Sequence, residues 1–230
     1  MRRRGFLKNS LVATGALAAG GDILDQSLAR AEGTKASTEK VSLESSYLRL
    51  EYDLGGGSAN LYTAKSVPLF LNTTGAAGFA RSLTLTSDSN YVRSVQRTTS
   101  TDPGIGGEQL VISCLDTNKT LNLEVRFTLL RDRPGAVFEL RVANVSKKEI
   151  VIEQTEPLRA LLNERSGCFF GAEENYSRVQ KVLRNGFLYS DPGELVEIAS
   201  QGRRDVSSLW NAAFYASSQE TLVVGYLENR

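Results

Sequence analysis

An all-β fold, a β-supersandwich of two large and mainly antiparallel sheets facing across one core, is what this sequence predicts. Two observations predict it. Apolar residues recur at strict period two, and the runs that show it are short and separated by turn residues, with no long helical pattern between them. A parallel α/β sheet needs a crossover of about a dozen residues or more between strands, usually a helix, and nothing of that kind recurs here.

The elements follow in order. Leu48, Leu50, Tyr52 and Leu54 alternate with Arg49, Glu51 and Asp53, and Gly55-Gly56-Gly57 then breaks the run where the backbone needs freedom. Strands are expected near Ser82 to Thr86 and Leu110 to Leu115. The clearest signal is Leu121, Leu123, Val125, Phe127 and Leu129, set against Thr120, Asn122, Glu124, Arg126 and Thr128, one dry face and one wet. Arg131 to Gly135 supplies a turn, and Phe138, Leu140 and Val142 complete a hairpin whose polar face sets Glu124 and Arg126 near Glu139 and Arg141. A second turn, Asn144 to Glu149, leads into expected strands at Ile150 to Ile152 and Glu156 to Leu158. Leu158 to Asn163 reads as a brief helix. Val206 to Ala216 and Thr221 to Leu227 read as strands, the last one buried. That strand ends three residues before Arg230, which raises the expectation of truncation there.

Composition narrows the chemistry. The chain has 230 residues, a formal charge of +1 and no histidine. Near-neutrality gives no electrostatic basis for binding nucleic acid or an anionic membrane. Without histidine, the usual general base near neutral pH is missing, and so is the commonest neutral metal ligand. No cofactor and no metal is expected. Cys114 and Cys168 fit no metal or redox spacing and leave two readings open, buried free thiols or one disulfide in an oxidising compartment.

The first residues are an address. Arg3, Arg4, Phe6, Leu7 and Lys8 resemble the bacterial twin-arginine export signal, and Leu11 to Gly21 is too short to span a membrane. Ala29-Arg30-Ala31 offers a signal-peptidase site, with cleavage after Ala31. The resulting division is a signal over residues 1–31, a polar linker over 32–40 and a sandwich domain over 41–230. The expected location is periplasmic or extracellular, with the twin-arginine translocase as partner during export and no stable membrane span.

Phe138 to Leu158, Val182 to Phe187, Ser208 to Tyr215 and Leu222 to Leu227 carry a family resemblance. The first has a strand ending in an Asn-x-Ser turn and a following strand that reaches Pro-Leu. The second resembles the Asn-Gly segment, and the last two the closing hairpin, of the N-terminal domain of family 36 glycoside hydrolases, the α-galactosidase and raffinose-synthase group. The resemblance implies a non-catalytic domain of an exported α-galactosidase-like enzyme, truncated or split from its catalytic barrel. The family's two catalytic aspartates lie in that barrel, so no catalytic residue is carried over to this chain. Its partners would be carbohydrate and a separate barrel chain. The alternative is a stand-alone carbohydrate-binding or envelope interaction module.

Candidate sugar contacts are Trp210, Tyr189 and Asn185, two rings for stacking on a pyranose face and one amide. Two of them have a plainer reading: Trp210 as core, and Asn185-Gly186 as a tight turn of the kind that favours a hairpin. Acidic candidates exist, such as Glu173, Glu174, Asp191 and Glu194. Retaining glycosidases need two carboxylates about 5–5.5 Å apart, and the sequence pairs none of these.

Overall fold

The computed structural model describes residues 39–79, 82–101, 105–160, 167–168, 179–185, 193–198, 211–216 and 221–225. The export-signal residues Arg3, Arg4, Phe6 and Leu7 and the cleavage residues Ala29 and Ala31 lie outside them. The described elements are all strands: β1 (Lys40–Glu44), β2 (Leu48–Asp53), β3 (Ser58–Thr63), β4 (Pro68–Phe79), β5 (Ser82–Leu85), β6 (Tyr91–Thr99), β7 (Gly107–Asp116), β8 (Leu121–Leu130), β9 (Ala136–Asn144), β10 (Gln154–Ala160), β11 (Gly167–Cys168), β12 (Val179–Arg184), β13 (Glu194–Glu197), β14 (Asn211–Ala216) and β15 (Thr221–Gly225). The all-β sandwich expected from the alternation is the fold.

Two sheets face each other. One runs β1-β2-β3-β4-β10, with β5 and β11 also paired to β4, and the other runs β6-β7-β8-β9. Their inner faces share one core. Leu50 and Tyr52 from β2 and Leu61 from β3 meet Ile112 and Cys114 from β7 and Leu123, Val125 and Phe127 from β8. All five apolar residues from Leu121 to Leu129 are buried, as the period of two requires. Aromatic rings close the middle. Phe127 meets Phe138 edge-on at 5.3 Å and Tyr52 at 5.7 Å between centroids.

A third sheet, β13-β12-β14-β15, adds to the two that face each other. Its inner face carries Val182, Phe214 and Leu222, which pack with Phe70 of β4; Phe70 also reaches the main core. Among the described residues, that ring belongs to both clusters and links the third sheet to the sandwich.

The turns follow the sequence with some corrections. Gly57 adopts φ +66°, and a Cβ there would lie 2.2 Å from the Thr86 carbonyl and 2.6 Å from the Arg93 guanidinium, so only glycine fits. In the Asn144 turn, the side-chain oxygen accepts from both the Ser146 amide and hydroxyl, while its amide donates to the Lys148 carbonyl. Ile150 to Ile152 forms no strand: Ile150 packs on the core, and Val151 and Ile152 face outward in an irregular connection. Of the helix expected over Leu158 to Asn163, residues 161–163 lie outside the described residues, and its first three residues are strand. Leu158 to Ala160 continues β10, which pairs with β4 across a register shift between Glu156 and Arg159 that takes up Pro157.

The β8–β9 hairpin has the predicted register, with Glu124 opposite Arg141 and Arg126 opposite Glu139. The ion pairs nevertheless run along the strands, Arg126 to Glu124 at 2.6 Å and Arg141 to Glu139 at 3.9 Å. Residues two apart on one strand share a face, and here the long arginine side chains lie along the strand to meet them.

Candidate functional site

The three candidate sugar contacts fare differently. Trp210 and Tyr189 lie outside the described residues. Asn185 is half-buried just past the end of β12, beside the returning chain at Gly193. Asn185-Gly186 is not the two-residue loop of a β12–β13 hairpin, and Gly186 lies outside the described residues. Arg184 pairs with Glu194, so the link from β12 to β13 takes residues 185–193, far longer than an Asn-Gly hairpin. Of the loose acids, Glu194 is an exposed partner of Arg184 at 3.0 Å, and Glu173, Glu174 and Asp191 lie outside the described residues.

Polar side chains on the sandwich are engaged in bracing it. Arg93, on β6, reaches over the end of the sandwich to the opposite sheet. Its Nε and Nη2 donate to the Thr86 carbonyl at 2.9 and 2.6 Å, Nη2 to Asp88 at 2.6 Å, and Nη1 to Gly55 at 3.2 Å. One planar fork thus holds two turns that no ladder joins. Asp116, at the β7–β8 turn, accepts from the Thr120 amide at 2.6 Å, the Thr120 hydroxyl at 2.7 Å and the Leu121 amide at 2.8 Å. Burial pushes its carboxyl upward, but these hydrogen bonds outweigh burial and hold it below the ordinary range. Gln109 donates to the Thr128 hydroxyl at 2.9 Å, a buried polar pair.

Cys114 is a free, buried thiol, which answers the disulfide alternative for that residue. It sits on an inward position of β7. Burial pushes the thiol up to about 11, so it is protonated and unreactive at neutral pH.

Between β1, the end of β6 and the start of β7 lies an open groove of about 260 Å³, lined by Leu43, Arg97, Thr98, Thr99, Glu108 and Gln109. A second hollow of about 160 Å³ adjoins it through Glu108 and brings in Glu44, Ser45 and Arg131. Mixed charge and hydroxyls suit a hydroxyl-rich ligand. The sequence reading missed this groove because its residues come from three separate strand ends. Neither of the two buried polar atoms without a partner among the described residues, Arg49 Nε and Thr74 Oγ1, lines it. The described residues hold no cluster of three metal-ligating side chains, and among them there is no helix long and apolar enough to cross a membrane.

The outer face of the third sheet was also missed. Leu195, Leu183, Ala213 and Val223 stand opposite one another across its four strands and form an apolar row. Leu195 is 49% exposed, Leu183 39% and Val223 65%. A row with Lys181 bridged to Glu197 at 2.7 Å flanks it. The strand at Thr221, expected to be buried, is an exposed edge.

The chain matches no family model, no curated protein and no solved structure.

Proposed function

We propose that this chain is the non-catalytic β-sandwich domain of an exported α-galactosidase-like glycoside hydrolase, acting beside a catalytic barrel. One observation carries the reading. The two segments that resemble the closing hairpin of the family's N-terminal domain pair with each other as β14 and β15, and β14 lies beside β12, which leads into the Asn-Gly segment. The use of Arg93, Asp116 and Gln109 as braces also fits a domain that supports rather than reacts.

In this role the sandwich binds no transition state. A glycosidase needs an acid and a nucleophile held rigidly on either side of the scissile bond, and here that pair belongs to the barrel. The groove around Glu108 favours a second reading, a stand-alone carbohydrate-binding module in the bacterial envelope. Its hydroxyls and charges would orient a sugar without cleaving it.

Reading the coding DNA after the Arg230 codon in all three frames tests the first reading. A barrel sequence there supports it, and an unrelated gene overturns it in favour of the second. An assay of the purified chain with an activated aryl α-galactoside adds a direct check, with no turnover expected above the uncatalysed rate. Turnover abolished by replacing one acid of this chain would overturn both readings.

A further inference from the structure

The edges of the sheets are not treated alike. An open strand edge is a template for pairing with another chain, and folded proteins blunt it with charge, proline or a bulge. Arg97 donates to the Ser42 carbonyl and so closes part of the β1 edge. The β6 edge carries Arg93 and Arg97. The β13 edge carries Glu194 and Glu197. β15, Thr-Leu-Val-Val-Gly, has no charge and no proline, and its register with β14 runs without a bulge. Among the described residues no strand pairs with its outer side.

We infer that β15 is a self-association edge, and that its occupant is β15 of a second copy of this chain. Antiparallel pairing about a two-fold axis through Val223 sets Val223 against the partner's Val223, Leu222 against the partner's Val224 and Thr221 against the partner's Gly225. All five residues are then paired, and the four-stranded sheet becomes one of eight strands. Such a contact is isologous and closes on itself, so it makes dimers and not fibres.

Charge selects this edge over β6 and β13, and β1 is closed in part by Arg97. The same operation on β13 would set Glu194 against the partner's Glu197, and on β6 it would set Arg93 against the partner's Arg97. Like charges directly opposite are unfavourable in a sheet. On β15 nothing repels. The apolar row also continues across the axis, since Val223 ends the row Leu195, Leu183, Ala213 and would meet the partner's Val223 on the same face. On the other face Val224, 37% exposed, gains the partner's Leu222 as a cover. Five residues on each side make a small interface, so the dimer is reversible and concentration-dependent.

Sedimentation velocity on the full chain, from about 1 to 200 µM, should show monomer passing to dimer, a range chosen for an interface at the low end of the size scale. Val223→Lys places two ammonium groups at the axis and should raise the dissociation constant at least tenfold, with an unchanged far-ultraviolet spectrum because the side chain is exposed. Val223→Cys under mild oxidation should give a disulfide-linked dimer, since Cα atoms opposite each other in an antiparallel pair lie about 4.5–5.5 Å apart. Leu195→Cys, on the same face but the opposite edge strand, should not. Monomer at every concentration overturns the inference. So does a dimer indifferent to Val223→Lys, or equal cross-linking at both positions. Should Val223→Lys lose its strand spectrum, the comparison of the two cysteine variants decides.

Discussion

The Tyr52 hydroxyl and the Cys114 sulfur lie 3.9 Å apart across the interior, one from each facing sheet. Both groups are buried, and burial raises both of their proton affinities, so each stays neutral and the contact is a weak hydrogen bond in a dry layer. Arg93 lies opposite Cys114 on β6 and carries its charge out of this layer to the turn carbonyls. The middle of this layer is therefore apolar, with Arg93 and Asp116 bracing one end of β7 and the Gln109–Thr128 pair the other.

Cys114 should resist thiol reagents. In native protein at pH 8, its peptide is expected to remain unmodified by iodoacetamide over hours and to label within minutes in 6 M guanidinium, conditions chosen because only the exposed thiolate reacts. Mass spectrometry of the Cys114 peptide measures this separately from Cys168. Native labelling at the unfolded rate would contradict the buried position.

Arg93→Ala should destabilise the fold by about 2–4 kcal/mol, because it strips the donors from carbonyls of two turns at once. Arg93→Lys should recover little, since an ammonium cannot reproduce the planar fork. Urea unfolding reads the effect as a lower midpoint at unchanged slope. A midpoint within error of the parent would show that the strap contributes nothing.

Asp116 gives stability a dependence on acid. Its folded-state proton affinity is lowered, so its contribution is fully present above the ordinary carboxylate value of about 4 and is lost as pH falls through the lower folded value. Asp116→Asn should flatten the fall in stability below about pH 4 and cost about 1 kcal/mol near neutrality, where charge-assisted bonds are replaced by neutral ones. Unfolding midpoints at pH 3, 5 and 7 make the comparison.

Phe127→Ala and Leu123→Ala should each cost about 2–5 kcal/mol, the cavity cost of a large core side chain. Phe127 belongs at the upper end because it also loses the edge contact with Phe138 and the ring of Tyr52. Asn122→Ala, on the half-buried outer face of the same strand, should cost well under half as much.

The sequence by itself determined the class of fold and the β8–β9 hairpin. Strict alternation from Leu121 to Leu129 admits only one buried face, and Pro134-Gly135 leaves only one place to turn. It also marked the break at Gly55-Gly56-Gly57, while the contacts with Thr86 and Arg93 that require glycine at Gly57 come from the tertiary structure. Tertiary structure decided what periodicity does not encode. Ile150 to Ile152 has the composition of a strand but pairs with none among the described residues, and Thr221 to Gly225 has the composition of a buried strand but lies at an edge of its described sheet. Arg93 looks like any surface arginine until two turns separated in sequence come together beneath it. The groove at Glu108 and the row from Leu195 to Val223 have the same origin. Their residues are distant along the chain, and only the order of strands within each sheet makes them neighbours.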